Sequence, residues 1–111
     1  MPRRDVTVKC VLCDTKYADV LCADRQLFAV PKMLNAVLTY RIDLSNNRIS
    51  TVKKDDFANM TSLFKLDLSY NKLVELDAGA FDGLTGLVVL YLFNNQLTNF
   101  HDGIFKDLTH L

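Results

Sequence analysis

The sequence predicts an α/β solenoid, in which short parallel strands stack along a concave side and turns or 3₁₀ segments close each repeat on a convex side. Three observations lead to this prediction. The pattern L-x-L-x-x-N-x-L, with isoleucine allowed for leucine, occurs three times at a fixed interval of 24 residues, at 42–49, 66–73 and 90–97. Phenylalanine recurs at the same interval later in each repeat, and all three cysteines lie in the first fifth of the chain. A fixed interval of this length is typical of repeats that stack on one another.

The repeat interval also sets the organisation of the chain, which we expect to be a single structural domain. A cysteine-containing cap and a partial first turn occupy 1–38, repeats follow at 39–62, 63–86 and 87–110, and Leu111 starts a further repeat. The chain has 111 residues, half of them hydrophobic, and is therefore long enough to bury one continuous core.

The L-x-L pair at the start of each motif predicts a short strand. Side chains alternate along a strand, so both apolar residues point inward and the residue between them points outward. The asparagine follows where the chain leaves the strand, and its amide offers two donors and an acceptor to backbone groups at the bend. Stacked repeats then place Asn47, Asn71 and Asn95 in a ladder, and losing one of them should cost about 1–3 kcal/mol.

The rest of each repeat predicts the convex side. Phe57, Phe81 and Phe105 recur in register and are expected to fill this side, each contributing roughly 1.5–3 kcal/mol through burial. The segments between them are short and contain glycine, so we expect extended turns and single 3₁₀ turns there instead of long helices. Repeats without long helices predict only a gentle curvature of the solenoid.

Composition and motif content argue against several classes of function. The formal net charge is zero, so nothing favours a nucleic-acid partner, which normally requires a basic stripe. No apolar run approaches the roughly 20 residues that cross a bilayer, so no membrane insertion is expected. The repeats offer no set of nucleophile, base and orienting group and no phosphate-binding glycine loop, so we expect neither an enzyme nor a cofactor.

The cysteines and one tripeptide indicate a protein that is secreted or lies on the extracellular side of the cell surface. Cys10, Cys13 and Cys22 precede an array of repeats without cysteine, which favours a disulfide-stapled end and an oxidising compartment. A zinc site is the weaker alternative, because Cys10-x-x-Cys13 is only half of such a site, and no metal is therefore expected. The tripeptide that begins at Asn59 is an N-glycosylation sequon and gives a second hint of secretion.

These features resemble a known family. The repeats are similar to the extracellular leucine-rich repeats of Toll-like receptors, Slit-type guidance proteins, platelet glycoprotein Ib and the variable lymphocyte receptors. The segments 78–87 and 102–111 are especially similar to the variable lymphocyte receptors. The resemblance covers about Cys10 to Leu111, and it implies an extracellular recognition module with a role in immunity.

The start of the chain resembles the N-terminal cap of that family, which has four cysteines bridged first to third and second to fourth. Cys13 and Cys22 match the second and fourth cysteines in spacing, whereas Thr15 occupies the place of the third. The resemblance therefore implies a disulfide between Cys13 and Cys22 and a free Cys10.

The outward positions of the predicted strands form the candidate binding site on the concave face. In the first two repeats Arg41 and Lys65 lie beside aspartates, which predicts a cross-strand lattice of ion pairs worth about 0–1 kcal/mol each. In the third repeat the outward residues are apolar or aromatic, and ligand contact, self-association and simple exposure stay open as reasons. The predicted ligand-binding residues are Arg41, Asp43, Lys65, Asp67, Tyr70, Val89, Tyr91 and Phe93.

Two functions of different kinds follow from this surface. The first is a non-catalytic, immune-receptor-like recognition module that binds a protein or glycan ligand, such as a microbial component or an antigen, on its concave face. The second is a structural or adhesive matrix module that self-associates. Self-association would take the form of a homodimer through the uncapped apolar end of the last repeat or through the aromatic residues of the third strand, because large exposed apolar patches rarely stay free.

Overall fold

The computed structural model describes residues 13–16, 18–32 and 36–111, and the strands in these ranges position the candidate site. The strands are β1 Asp14–Lys16, β2 Asp19–Leu21, β3 Arg41–Asp43, β4 Thr51–Val52, β5 Lys65–Asp67, β6 Glu75–Leu76 and β7 Val89–Tyr91. A 3₁₀ helix at Ala36–Leu38 precedes β3. No helix within the described ranges is long and apolar enough to cross a membrane.

Five of these strands form the main sheet, in the order β1-β2-β3-β5-β7. β1 is antiparallel to β2, and every later pair is parallel. In register, Arg41 lies opposite Lys65, which in turn lies opposite Val89. The predicted solenoid with parallel strands is therefore confirmed, and equivalent side chains of successive repeats lie side by side.

Strand β2 extends the main sheet beyond the strands that the repeat pattern predicted. Asp19 lies opposite Arg41 and Leu21 opposite Asp43, an offset of 22 residues in place of the 24 that separate later strands. Val20 is the residue of this strand that packs against the core. A strand with one inward residue at a different offset carries neither the L-x-L signal nor the repeat interval.

The inward residues of the repeats form one continuous core. The motif leucines and isoleucines of the first two repeats are at most 1% exposed. Phe57 and Phe81 are buried on the convex side, whereas Phe105 is 37% exposed. Phe105 stacks on Phe81 with a ring separation of 6.1 Å. The burial expected for Phe105 is therefore incomplete.

The convex side consists of turns and a small second sheet. β4 pairs with β6 in parallel, Val52 opposite Leu76, and the sequence did not predict this pairing. The segments after these strands are successive turns, in which an N–H bonds the carbonyl three residues earlier, as Ala80 does to Asp77 at 3.0 Å. That spacing is the 3₁₀ pattern. The assigned 3₁₀ helix, Ala36–Leu38, lies before the first repeat instead of on the convex side.

A disulfide staples the cap internally, and a backbone hydrogen bond connects the cap to the first repeat. A disulfide links Cys13 to Cys22 across a sequence separation of nine residues, and Cys22 is fully buried. The Cys22 N–H donates a hydrogen bond to the Asp43 carbonyl at 2.8 Å, which continues the ladder of the main sheet. Cys10, for which the sequence predicts a free thiol, lies outside the described residues.

Candidate functional site

The outward side chains of the main sheet form one surface, which we call the strand face. Because side chains alternate along a strand, the first and third residues of β2, β3, β5 and β7 point outward. The strand face comprises Asp19, Leu21, Arg41, Asp43, Lys65, Asp67, Val89 and Tyr91, with Tyr70 and Phe93 just beyond the strand ends. The fold thus brings the predicted ligand-binding residues together on one surface.

Arg41 is held by the cap and not by its own repeat. Its Nε and Nη2 donate to the two carboxylate oxygens of Asp19 at 3.2 and 2.9 Å. The hydrogen bond to Asp19 and the charge of that carboxylate raise the pKa of Arg41. The predicted cross-strand lattice, in which Arg41 and Lys65 pair with aspartates of the first two repeats, is wrong, because neither Asp43 nor Asp67 forms an ion pair within the described residues.

Asp43 and Asp67 instead close the ends of their own strands. Oδ1 of Asp43 accepts hydrogen bonds from the Ser45 N–H at 2.9 Å and from the Ser45 hydroxyl at 2.6 Å. Asp67 accepts the same two bonds from Ser69, at 2.9 and 2.6 Å. A carboxylate that bonds the backbone two residues ahead fixes a local turn. Each Asp-x-Ser pair therefore has a structural role besides its place on the strand face.

The third repeat replaces both residues of the Asp-x-Ser pair with aromatic residues. Tyr91 takes the position of Asp67, and Phe93 takes that of Ser69. The Phe93 ring meets the rings of Tyr91 and Tyr70 edge to face, at 5.7 and 5.5 Å. These three residues, which we call the aromatic patch, are all exposed, Tyr70 and Phe93 by 51% each and Tyr91 by 38%.

Lys65 borders the aromatic patch. Its Nζ lies 5.3 Å from the centre of the Tyr91 ring, within the range of a cation–π interaction. Val89, next to Lys65 in register, is half-buried and continues the apolar surface toward the start of β7. Lys65 forms no ion pair in the part of the chain that the structure describes, so its charge stays available to a ligand.

A second group of apolar side chains lies where the chain enters the strands, and the sequence analysis missed it. The rings of Tyr40 and Phe64 stack face to face at 5.0 Å with an interplanar angle of 7°. Val88 follows at the same position of the third repeat, and its N–H bonds the Phe64 carbonyl at 2.9 Å. The sequence signal that could have revealed this group is the 24-residue interval, which places an apolar or aromatic residue just before each strand.

The asparagine ladder lies behind the strand face, where the strands end. Each Oδ1 accepts a backbone N–H of the preceding repeat at 2.9–3.0 Å. Each Nδ2 donates both to a carbonyl of its own repeat and to one of the preceding turn, as Asn71 does to Leu68 and Leu44. Asn47 and Asn71 are buried, and Asn95 is partly exposed. The ladder thus joins adjacent turns, and its amides are already hydrogen-bonded.

Among the described residues, the remaining acidic side chains and the histidines do not assemble a reactive site. The carboxylates of Asp56 and Asp77 accept backbone N–H groups on the convex turns, at 2.8 and 3.1 Å. Burial raises the pKa of Asp56. His101 and His110 are both exposed. Across the described ranges, no group of three or more His, Cys, Asp or Glu side chains is placed to hold a metal ion.

Asn59, the predicted glycosylation site, also lies on the convex side. Asn59 and Thr61 are exposed, whereas Met60 between them is buried and anchors the turn. The sequon is therefore presented to solvent on a surface separate from the strand face.

Comparisons with known proteins agree with this geometry. A family model described as "Leucine rich repeat" matches residues 39–97. A chain of a solved structure, "Crystal structure of TLR13-ssRNA13 complex", is similar to this one with a TM-score of 0.66 and 36% identity over 68% of this chain. The aligned part is 11% of the length of that chain. No curated protein sequence matches.

Proposed function

This chain belongs to the leucine-rich repeat family, and from that premise we propose that it is a non-catalytic recognition module that binds a protein or glycan ligand on its strand face. The aromatic patch is the observation that carries the proposal. Two of its residues, Tyr91 and Phe93, stand where the first two repeats have Asp and Ser, yet β7 keeps the register of β5. The fold therefore does not require these aromatic residues, and exposed rings beside a lysine are typical of binding hot spots.

The proposed setting is the extracellular side of the cell surface or the extracellular space, in an immune-receptor role. The Cys13–Cys22 disulfide supports an oxidising compartment, and the exposed sequon at Asn59 supports passage through the secretory route. The similarity to a solved TLR13 chain supports the link with immunity. The finer likeness to variable lymphocyte receptors, in 78–87 and 102–111, stays a prediction from the sequence.

Nucleic acid is the ligand class that the similar structure raises against our prediction. That structure is a complex of TLR13 with single-stranded RNA. In this chain the strand face carries three carboxylates, on Asp19, Asp43 and Asp67, against the two cations Arg41 and Lys65. A polyanion gains affinity mainly from clustered cations, so this surface favours a protein or glycan ligand over RNA.

A binding screen with a matched pair of variants tests the proposal. Bacterial surface components, a glycan array and single-stranded RNA are offered to the parent chain and to the double variant Tyr91→Ala/Phe93→Ala. The control is Phe28→Ala, because Phe28 is 65% exposed and lies outside the strand face. Losing two hot-spot side chains of about 1–2 kcal/mol each should weaken binding by roughly 30-fold or more.

The outcomes of this screen separate the strand face from other surfaces. Binding that falls in the double variant and in Tyr91→Ala alone, and persists in Phe28→Ala, supports the proposal, because Tyr91 lies on the strand face whereas Phe93 also contacts Tyr70. A ligand that both variants bind as well as the parent does places recognition elsewhere on the molecule. Urea unfolding of each variant checks that the fold is intact, since the patch contributes little to the buried core.

Self-association is the second candidate function, and a specific observation favours it. Phe100 and Phe105 of the third repeat are 49% and 37% exposed. A second copy could cover either these residues or the aromatic patch. Light scattering over a concentration series tests this, and a dimer that Tyr91→Ala/Phe93→Ala abolishes would assign the patch to self-association instead of ligand binding.

A further inference from the structure

A groove runs beside the strand face, where the chain leaves each strand, and we call it the exit groove. It encloses about 710 Å³ and crosses all the repeats. Its floor is the asparagine ladder. Its walls are Asp24, Gln26, Asn46, Arg48, Tyr70, Lys72, Asn94 and Gln96.

The floor of the exit groove offers little to a ligand, because the ladder is already hydrogen-bonded. The Nδ2 of Asn47, for example, donates to three carbonyls at 2.9–3.1 Å, and its Oδ1 accepts two backbone N–H groups. Any recognition in this groove must therefore come from the side chains of its walls.

Several polar side chains of the walls have no intramolecular partner among the described residues. Within the described residues, the side chains of Gln26, Asn46, Lys72, Asn94 and Gln96 form no hydrogen bond or ion pair. An amide of this kind donates and accepts at once. Such amides can hydrogen-bond to vicinal hydroxyl groups, which also donate and accept hydrogen bonds at neighbouring atoms.

Tyr70 differs in residue type from the other residues at its position of the repeat. Asp24, Asn46, Tyr70 and Asn94 occupy equivalent positions, and all have left-handed backbones with φ between 54° and 58°. Aspartate and asparagine tolerate this conformation, whereas a bulky residue there is a strained outlier. Tyr70 is 51% exposed, so it does not compensate through burial in the core. Strain held at an exposed position points to a functional reason for the side chain.

The two cations of the groove are neighbours on its other wall. Arg48 and Lys72 occupy equivalent positions of the first two repeats, and their backbone N–H groups make the same bonds to the preceding turn, at 2.7 and 2.9 Å. The Arg48 guanidinium lies 5.6 Å from the Phe28 ring, which keeps it beside the groove. Neither cation forms an ion pair within the described residues, so both are available to one carboxylate.

We propose that the exit groove binds an acidic saccharide. A pyranose ring lies against the Tyr70 ring, the wall amides bond its hydroxyls, and Arg48 and Lys72 bind its carboxylate. Single-stranded RNA fits less well, because the groove offers one aromatic platform and two cations, with Asp24 opposing a chain of phosphates. This site goes beyond the proposed function, because the groove lies beside the strand face and shares only Tyr70 with it.

An array of oligosaccharides, with and without carboxylates, tests the proposal on the parent chain and on matched variants, with single-stranded RNA as an added probe. The variants are Tyr70→Asn, Lys72→Gln and Tyr91→Ala, and the control is Tyr40→Asn, which makes the same change at an aromatic residue that is 44% exposed outside the groove. We expect carboxylate-bearing glycans to bind, and Tyr70→Asn to weaken this binding about tenfold or more. Lys72→Gln should weaken it and reduce its dependence on salt, while Tyr91→Ala and Tyr40→Asn leave it unchanged.

Several results would overturn the proposal. Neutral glycans that bind as tightly as acidic ones would remove the role of the cations. Glycan binding that Tyr91→Ala abolishes and Lys72→Gln spares would place the site on the strand face. RNA binding lost in Tyr70→Asn, with no glycan bound, would assign the groove to nucleic acid. No glycan binding at all would also refute it, whatever the strand face binds.

The stability of Tyr70→Asn gives an independent readout. Asparagine relieves the left-handed strain, so the urea midpoint of this variant should equal or exceed that of the parent chain. A lower midpoint would show that Tyr70 serves the fold, and it would remove the argument for binding.

Discussion

Replacing Asn71 by alanine tests how the ladder stabilises the solenoid. The Asn71 side chain makes four hydrogen bonds: Oδ1 accepts the Ile49 N–H at 3.0 Å, and Nδ2 donates to three carbonyls at 2.9–3.2 Å. If each bond counted separately at about 1 kcal/mol, the loss would be about 4 kcal/mol. The geometry predicts less, because the bonds are not equivalent.

The three carbonyls that Asn71 bonds each keep another donor. The carbonyl of Leu44 also accepts from Asn47 at 3.0 Å, and that of Leu68 accepts from Asn95 at 2.9 Å. The third carbonyl, that of Ser69, accepts the Asn46 N–H at 3.2 Å. The substitution therefore leaves one buried group, the Ile49 N–H, without its partner. We expect Asn71→Ala to lower the free energy of unfolding by about 2 kcal/mol.

Urea unfolding followed by circular dichroism measures this effect, with an unchanged m-value as the test that unfolding stays cooperative. Asn95→Ala should cost less, about 1 kcal/mol, because Asn95 is partly exposed and water can reach the groups it leaves. Asn99→Ala is the control, since Asn99 is exposed and its effect should stay within about 0.5 kcal/mol. A larger loss for Asn95→Ala than for Asn71→Ala, or no loss for either, would refute the reasoning.

Three further changes test the packing, the cap and the half-buried carboxylate of Asp56. Gly86→Ala should destabilise the fold by about 1–3 kcal/mol, because its Cβ would lie 3.2 Å from the backbone carbonyl oxygen of Thr61; Gly79→Ala, whose Cβ would meet only movable side chains, should stay near neutral. Cys22→Ser should cost about 2–3 kcal/mol through loss of a disulfide that spans nine residues, and a reductant should lower the urea midpoint of the parent chain but not that of the variant. Burial raises the pKa of Asp56, so the folded state keeps this proton to higher pH than the unfolded state does. The contribution of Asp56 to stability therefore falls as pH rises from the ordinary aspartate pKa through the raised one. Urea midpoints measured at stepped pH should show this fall in the parent chain and not in Asp56→Asn. Identical pH profiles for the two proteins would contradict the prediction.

The repeat interval was enough to predict the register of β3, β5 and β7, because a shift by one residue would turn every inward leucine toward solvent. It was not enough for β2, where only Val20 packs against the core and the offset is 22 residues. The β4–β6 sheet was not predicted, for a similar reason. Each of these strands has two residues, of which one, Val52 or Leu76, points inward.

The charged part of the strand face shows why side-chain partners are harder to predict than the fold. Arg41 and Asp43 are neighbours along a strand, and the sequence suggested ion pairs across the sheet. The Asp43 carboxylate instead bonds Ser45, two residues ahead. Such a local bond orders few additional groups. An exposed ion pair must order two side chains and contributes only about 0–1 kcal/mol to stability. Arg41 then pairs with Asp19, which was not assigned to a strand.

The change from Asp-x-Ser to Tyr-x-Phe in the third repeat links the two proposed surfaces. Phe93 contacts Tyr91 on the strand face and Tyr70 at the exit groove, at 5.7 and 5.5 Å. The Phe93 ring packs edge to face against the Tyr70 ring, so it helps to orient the ring that lines the groove. Removing the Phe93 ring should therefore disturb both surfaces. By contrast, a change at Lys65 should affect only the strand face, because Lys65 lies beside the Tyr91 ring. A change at Lys72 should affect only the groove, which Lys72 lines.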